Sequence, residues 1–286
     1  MTRTTKVFQP LVCDNGAVLF LPPCPLEDEV NVKTPDIFVE SATRQYPIGT
    51  LCWFPGMGKK FRYAKAGGDL VGVKHLHCNA NYTTGATTAN TNGFYDGGDL
   101  HTWAIGATEI TFTDTINRVK DYYAGAHLLH FDGGLNTCYE DSYIISGPPA
   151  ATTDPWTTVV KLAEPTKYAK FSGEGIEIWL NPYSNIQQCP DGNEAHVTFM
   201  GVPPIPVGSG YYFWLQTSGP VFITPNGWGS LIPGYAAHSR VCMTISGILT
   251  TQAAMGAGNQ VIGTLLCRTS DTHGAAWLNM SLDLGD

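Results

Sequence analysis

The chain has 286 residues, of which 14% are charged and 43% hydrophobic, and its formal net charge is −8. So few charges, with 32 glycines and 19 prolines, exclude a disordered tail and a helical bundle. The net negative charge and the scattered Lys and Arg residues argue against a basic stripe that would hold phosphates, so nucleic acid is not an expected partner. Composition therefore favours an ordered, loop-rich β protein, large enough for one large β domain or two.

The chain contains no run of about 18 apolar residues, and the N-terminal segment Met1–Lys6 lacks an apolar core. We therefore expect synthesis in a cytoplasm, no cleaved signal and no membrane partner. The cysteines are widely spaced, without a C-x-x-C pair, which argues against structural zinc and predicts free thiols in a reducing compartment. They are Cys13, Cys24, Cys52, Cys78, Cys138, Cys189, Cys242 and Cys267.

Residues 1–45 are rich in proline, including Pro10, the pair Pro22–Pro23 and Pro35. Prolines at this density prevent a long helix and favour an extended arm. Ala17–Leu21 is apolar enough to add one strand to a sheet. The arm either lies along a neighbouring subunit or packs on its own domain, and the sequence leaves both open.

Two β-hairpins are predicted, one near each end of the compact part of the chain. Tyr46–Phe54 and Lys59–Ala64 flank the glycine-rich turn Pro55–Gly58. Near the C-terminus, Val261–Cys267 is followed by Ala275–Leu284. In the last segment leucine and methionine alternate with polar residues and tryptophan, which predicts a strand with one buried face. Ile-Gly-Thr-Leu occurs in both hairpins, but four shared residues are too few to establish a duplication.

The middle of the chain is predicted to contain one loop, one helix and several short strands. Residues 79–100 are small and polar, which is typical of an exposed loop. Thr113–Tyr123 is the best helix candidate, capped by Thr113 or Asp114 and stopped by Gly125. Short strands separated by Gly or Pro clusters are typical of a sandwich or barrel. The predicted strands are Ala104–Phe112, Ala126–Phe131, Tyr139–Ile145, Thr157–Leu162 and Ile176–Leu180.

The most apolar part of the chain predicts a central, buried strand at Tyr211–Thr217. Ser218–Pro220 is expected to break this strand, and Val221–Thr224 is expected to return along it. Burying the amide of Gln216 without partners would cost about 1–3 kcal/mol, so we expect it to hydrogen-bond the neighbouring turn backbone.

These elements predict a mainly β protein, built of β-sandwich or barrel-like modules with an extended N-terminal arm and one short helix. The expected boundaries are 1–45 for the arm, 46–165 for a first β module and 166–286 for a second. The sequence leaves open whether the two modules are separate domains or one interleaved sheet system.

One group of residues in the sequence is a candidate metal site. His75 and His77 alternate in a predicted strand, so both point to one side, and Cys78 follows directly. His127 or His130 could supply a third ligand. Two ligands do not make a site, however, and ordinary surface or core histidines are the preferred interpretation.

Other motifs do not predict chemistry. Gly208–Gly210 contains Ser209 but precedes a strand, so it is not a nucleophile elbow. Gly97–Asp99 and Asp132–Gly134 resemble calcium loops without their full ligand spacing, and plain turns are preferred. The glycosylation sequons at Asn81 and Asn279 would need a secretory route. We therefore predict no catalytic, cofactor-binding or metal-binding residues, no cofactor and no enzymatic activity.

Four stretches of the chain resemble tailed-phage virion proteins, the capsid decoration or cement proteins and related head-fibre proteins. They are Tyr211–Gly219, Ile262–Leu265 with the terminal alternating strand, Tyr46–Thr50 and Phe61–Ala64. The resemblance covers about half the chain and carries no catalytic residue. It implies a compact β module on the outside of a major capsid lattice, commonly as a homotrimer at local three-fold positions. The implied partners are the major capsid protein and further copies of this chain.

The chain is longer than many decoration proteins, which is compatible with an extra module or with a fibre or tail component. The expected function is therefore a non-enzymatic virion protein that decorates and stabilises the capsid exterior. The alternatives are a tail- or fibre-associated receptor-binding β protein with a tip rich in Trp and Tyr, and a soluble hydrolase with a deep pocket of perturbed acids. A major capsid protein is disfavoured because no long helix is readable.

Overall fold

A computed structural model describes most of the chain, and its secondary structure is nearly all antiparallel strands. The described residues are 10–22, 34–70, 77–79, 93–96, 100–114, 122–131, 138–147, 156–188, 198–223, 227–228, 240–243, 248–251, 260–268 and 276–282. Within these ranges the helical content is a single 3-10 turn, Pro55–Met57. One sheet curls into a half-barrel. The prediction of a mainly β fold is confirmed.

The strands are short, with one exception of 12 residues near the middle of the C-terminal half. In chain order they are β1 Leu11–Val12, β2 Val18–Phe20, β3 Leu51–Phe54, β4 Lys59–Lys65, β5 His77–Asn79, β6 Gly93–Asp96, β7 Glu109–Asp114, β8 His127–Phe131, β9 Cys138–Ser146, β10 Trp156–Leu162, β11 Gly175–Trp179, β12 Ile186–Gln188, β13 Phe199–Gly201, β14 Tyr212–Ile223, β15 Gly227–Trp228, β16 Arg240–Met243, β17 Ile248–Thr251, β18 Gln260–Arg268 and β19 Ala276–Ser281.

The chain forms two compact units. The first contains described residues of Met1–Leu21, Asn31–Asn81 and Pro182–Asp286, and the second contains those of Pro22–Val30 and Tyr82–Asn181. The first unit is discontinuous because β4 pairs with β14, which joins the two ends of the sequence. The modules expected at 46–165 and 166–286 divide the chain differently, since hairpin signals report only local pairing.

The first unit is built on one large sheet. Ten of the described strands follow each other in the order β1-β2-β3-β4-β14-β19-β18-β16-β17-β15, with only the β15–β17 pair parallel. A smaller sheet has the order β12-β5-β13. The first half of β14 is buried on both faces: Trp214 belongs to one apolar cluster, and Phe213 and Leu215 belong to another. This confirms a central, buried strand.

The N-terminal segment pairs with its own chain over residues 10–22. Strand β2 pairs with β3, and β1 pairs with β2. Ala17 and Leu19 are fully buried in the cluster that contains Trp214. The strand predicted at Ala17–Leu21 is therefore confirmed, and this part of the arm packs on its own unit because its apolar residues complete that core.

Both predicted hairpins are present. Strands β3 and β4 pair around the turn at Pro55–Gly58, and β18 pairs with β19. Along β19 and just beyond it, Leu278, Met280 and Leu282 are buried and the intervening residues are exposed, as the alternation predicts. The repeated Ile-Gly-Thr-Leu does not mark a repeated structure: in the first copy Thr50 closes a turn on the Pro47 carbonyl, whereas the second lies within β18.

The prediction of a turn at Ser218–Pro220 is wrong. Strand β14 continues through these residues to Ile223: it pairs with β4 up to Ser218 and with β19 from Ser218 to Ile223. The breaker residues instead produce a register shift between Gln216 and Ser218, and Gly219 absorbs it with a φ of 91°. The amide of Gln216 donates to the Ser218 and Pro220 carbonyls, at 3.2 and 3.1 Å, as predicted.

The second unit contains a six-stranded antiparallel sheet in the order β6-β11-β8-β9-β10-β7. Strands β8 to β11 confirm four of the predicted strands. The fifth predicted strand, Ala104–Phe112, is wrong at its beginning, because Ala104–Ala107 forms a turn and the strand begins at Glu109.

Two sequence predictions for this region need correction. The expected loop at 79–100 contains the end of β5 and all of β6, since pairing with β11 overrides the low apolar content of Gly93–Asp96. The predicted helix caps, Thr113 and Asp114, lie in β7, where they pair with β10. The helix core at 115–121 lies outside the described residues.

Candidate functional site

The residues predicted as metal ligands are only partly described. His75 lies outside the described residues, as do the side chains of His77 and Cys78. On β8, His127 is exposed and His130 is completely buried. Among the described side chains, no group of three His, Cys, Asp or Glu residues could hold a metal ion. Cys13, Cys52 and Cys242 are free thiols.

The Gly208–Gly210 segment is a turn that leads into β14. The Gly208 amide donates to Glu40 Oε2 and the Ser209 amide donates to Asp69 Oδ1, both at 2.8 Å. Two carboxylates therefore cap the turn, and a strand follows it. The turn motifs Gly97–Asp99 and Asp132–Gly134 and the first sequon lie outside the described residues, while Asn279 is exposed on β19.

The first unit contains a cleft of about 280 Å³, which we call the aromatic cleft. It is lined by Thr34, Asp36, Val39, Glu40, Ser41, Gln45, Tyr46, Tyr63, Tyr212 and Trp214. Tyr212 and Trp214 lie two positions apart on β14 and so share a face. Tyr63 on β4 pairs directly with Trp214 in the sheet register. The two central strands therefore supply the aromatic floor.

The rings of the floor are in close contact. The Tyr46 ring centre lies 5.1 Å from that of Tyr63 and 5.0 Å from that of Trp214, and Tyr63 and Trp214 are also 5.0 Å apart. Tyr63 stacks on Tyr212 at 6.0 Å. Each aromatic pair contributes about 0.5–1.5 kcal/mol beyond its buried area. Tyr46, Tyr63 and Trp214 are almost completely buried, so the floor is rigid.

Residues 34–45 form the rim of the aromatic cleft and are fixed to the floor by hydrogen bonds. Ser41 and Tyr212 exchange two backbone hydrogen bonds of 2.9 and 2.8 Å. The backbone amide of Gln45 donates to the Tyr63 hydroxyl at 3.0 Å. The Phe38 amide donates to Asp36 Oδ1 at 2.9 Å, which closes a local turn. The rim is therefore held in place before any ligand binds.

The cleft has an acidic and aromatic lining. Asp36 and Glu40 contribute two carboxylates, and none of the ten lining residues is basic. Burial raises the pKa of Tyr46 to about 12 and also raises the pKa of Tyr63, so both phenols stay neutral near pH 7. The cleft therefore offers a ligand two carboxylates and a floor of neutral aromatic rings.

A second group of polar side chains lies in the other unit, where His130 and Lys170 are buried and Glu174 is half-buried. His130 Nε2 lies 3.0 Å from Glu174 Oε2, and the same oxygen accepts the Phe171 amide at 2.7 Å. Lys170 is 1% exposed, and its Nζ donates to the His101 carbonyl at 2.7 Å. The sequence singled out His130 but not its partner, since 44 residues separate them and no spacing rule connects them.

Electrostatics hold this group together. Burial alone would raise the pKa of Glu174, but the hydrogen bonds from the Phe171 amide and His130, with the nearby Lys170 charge, lower it below its usual value. The Trp103 ring lies 5.3 Å from the His130 ring and 5.5 Å from Lys170 Nζ. Because His130 and Lys170 are buried against Trp103, we interpret the group as a structural support of the second unit.

The large sheet has one exposed face over part of its width, which we call the outer sheet face. Val12, Val18, Trp53 and Lys60 follow each other in register across β1 to β4. Lys60 pairs with Ser218, and further along β14 the exposed Phe222 stacks on Trp277 of β19 at 4.9 Å. The outer sheet face thus has apolar groups at both ends and polar residues between them.

Comparisons of the chain with protein-family models, curated proteins and solved structures find no match. In the part of the chain that the structure describes, no helix has the length and apolar character to cross a membrane.

Proposed function

We propose that this chain is a non-enzymatic structural protein of a tailed-phage virion, which binds the outer surface of the capsid and stabilises it. One observation carries the proposal. Three of the stretches that resemble decoration proteins, Phe61–Ala64, Tyr211–Gly219 and Ile262–Leu265, are far apart in sequence. They lie on β4, β14 and β18, which belong to one sheet. The resemblance therefore concerns a single structural unit.

The outer sheet face supports binding to a protein surface. Trp53, Phe222 and Trp277 are 37%, 43% and 39% exposed. Large aromatic side chains are enriched in protein interfaces, where a few of them supply most of the binding energy. We propose that this face contacts the major capsid protein, and that the chain assembles as a trimer on the capsid exterior.

Binding alone is sufficient for such a role. A protein that binds only the closed lattice stabilises it by mass action, by about 2.7 kcal/mol per site at a hundredfold excess over Kd. Because a capsid offers many equivalent sites, a modest affinity at each can protect the whole shell.

A tail- or fibre-associated receptor-binding protein is the second candidate, and the aromatic cleft is the observation that favours it. Sugars often bind where aromatic rings lie beside hydroxyl and carboxylate groups. The floor of this cleft is nearly buried, however, and a sugar ring needs an open aromatic face on which to stack. Capsid decoration is therefore the better supported of the two.

Counting protein copies separates these candidates. Quantitative mass spectrometry of purified particles of the phage that encodes the chain gives its ratio to the major capsid protein. Decoration predicts a ratio of the same order as one. A few copies per particle would favour the tail or fibre alternative, and absence from particles would overturn both.

A further inference from the structure

The aromatic cleft combines carboxylates with a floor of electron-rich rings, and we propose that it binds a cationic side chain, arginine or lysine, presented by a neighbouring protein chain. This inference rests on the proposed function only for the identity of that neighbour as a virion protein. The site itself follows from charge, ring geometry and size.

The two carboxylates have binding capacity left. Asp36 accepts the Phe38 amide through Oδ1, and Glu40 accepts the Gly208 amide through Oε2. Within the described residues, Asp36 Oδ2 and Glu40 Oε1 have no hydrogen-bond or ion-pair partner. Since their other oxygens are anchored to backbone, both carboxylates are held in place and present a free oxygen to a donor.

The aromatic floor also favours a cation. A positive charge is attracted to an aromatic ring when it lies within about 6 Å of the ring centre. Tyr212 already attracts one cation of the chain, because Lys65 Nζ lies 5.4 Å from its ring centre. Lys65 does not line the cleft, and Arg44, which belongs to the rim and whose charge acts on Tyr63, is not one of the lining residues either. The lining itself therefore keeps two negative charges without an internal counter-ion.

The size of the cleft fits one extended side chain. Its volume of about 280 Å³ lies just below the range of about 300–1,000 Å³ that is usual for small-molecule sites. An anionic ligand would be repelled by Asp36 and Glu40. A sugar ring would need a wide open ring face, whereas a cation needs only the part of one face over which it sits, and Tyr212 is the half-buried ring of the floor. A guanidinium or ammonium group on an extended side chain satisfies the conditions of size, positive charge and access to a ring.

The test is an NMR titration of the isolated full-length chain with N-acetyl-arginine amide. The matched control ligand is N-acetyl-citrulline amide, which has the same shape but a neutral urea in place of the guanidinium. We expect the arginine compound to shift resonances of residues 36–45 and 212–214, with a Kd in the millimolar range. The citrulline compound should bind at least about fivefold more weakly, and added salt should weaken only the arginine compound.

Two conservative variants test the carboxylates. Asp36→Asn and Glu40→Gln keep an oxygen for the backbone hydrogen bond and remove only the charge, so each should weaken arginine binding by up to about fivefold. Asp14 is an exposed carboxylate of the same unit that does not line the cleft, so Asp14→Asn should leave arginine binding unchanged. Equal affinity for the two ligands, or unchanged arginine binding in both cleft variants, would overturn the proposal. Because the titration uses no particles, its result is independent of the particle count. Absence of arginine binding would overturn only the cleft proposal, and absence of the chain from particles would overturn only the virion proposal.

Discussion

Replacing Trp214 with alanine should remove a large part of the stability of the first unit. Trp214 is 2% exposed and lies near the start of β14, in contact with Tyr46 and Tyr63. A buried tryptophan removes about 150–250 Å² from water, which at about 25 cal/mol per Å² corresponds to roughly 4–6 kcal/mol. Alanine retains a small part of that burial, so we expect a loss of about 3–5 kcal/mol, as for other Trp→Ala changes in cores.

A matched control is available on the same sheet. Trp277 is 39% exposed and contacts Phe222 on the outer sheet face, so Trp277→Ala should cost only about 1 kcal/mol. Urea unfolding at 25 °C, followed by circular dichroism and tryptophan fluorescence, measures both free energies of unfolding. A loss below about 1 kcal/mol for Trp214→Ala, or equal losses for the two variants, would refute the assignment of Trp214 to the core. If Trp214→Ala does not fold, Trp214→Phe should still be less stable than Trp277→Phe.

Three further predictions concern the backbone at Gly219, the loss of stability at acid pH and the N-terminal strand β2. Gly219→Ala should destabilise the first unit by more than about 1 kcal/mol, because Gly219 has a positive φ and its added Cβ would meet the Gly58 carbonyl oxygen. The control, Gly68→Ala, faces open space and should be nearly neutral in the same urea assay. Glu174 has a lowered pKa when folded, so its contribution is present above its unfolded value of about 4.3 and is lost as pH falls through the folded value. Glu174→Gln should therefore flatten the fall in stability below about pH 4.5, and an unchanged pH profile would contradict this. Leu19→Ala should cost about 2–5 kcal/mol because Leu19 is fully buried, whereas a result near zero would mean that β2 is not part of the core.

The sequence predicts the local elements of this fold well. The alternation at residues 278–282 and the glycine-rich turn at Pro55–Gly58 each depend on neighbours in the chain, and both are confirmed by the structure. The amide of Gln216 was predicted to bond nearby backbone, because a buried polar group must find a partner close at hand.

Long-range pairing could not be read from the sequence. Ser218–Pro220 is a strong local breaker, yet β14 continues because β4 and β19 each pair with one half of it. Likewise the aromatic cleft requires residues 34–45 to fold over Tyr212, through a backbone pair with Ser41 that no periodicity signals. Glu174 was missed for the same reason, since only the β8–β11 pairing brings it near His130.

The proposal that the outer sheet face binds a capsid can be tested by adding the purified chain back to particles that lack it. The amount bound is measured by sedimentation, and the temperature of genome release by dye fluorescence. We expect saturable binding and a higher release temperature for the natural chain. We also expect a Trp53→Ala, Trp277→Ala double variant, shown to be folded, to lose most of both effects. Binding and protection by that variant equal to those of the natural chain would contradict the claim.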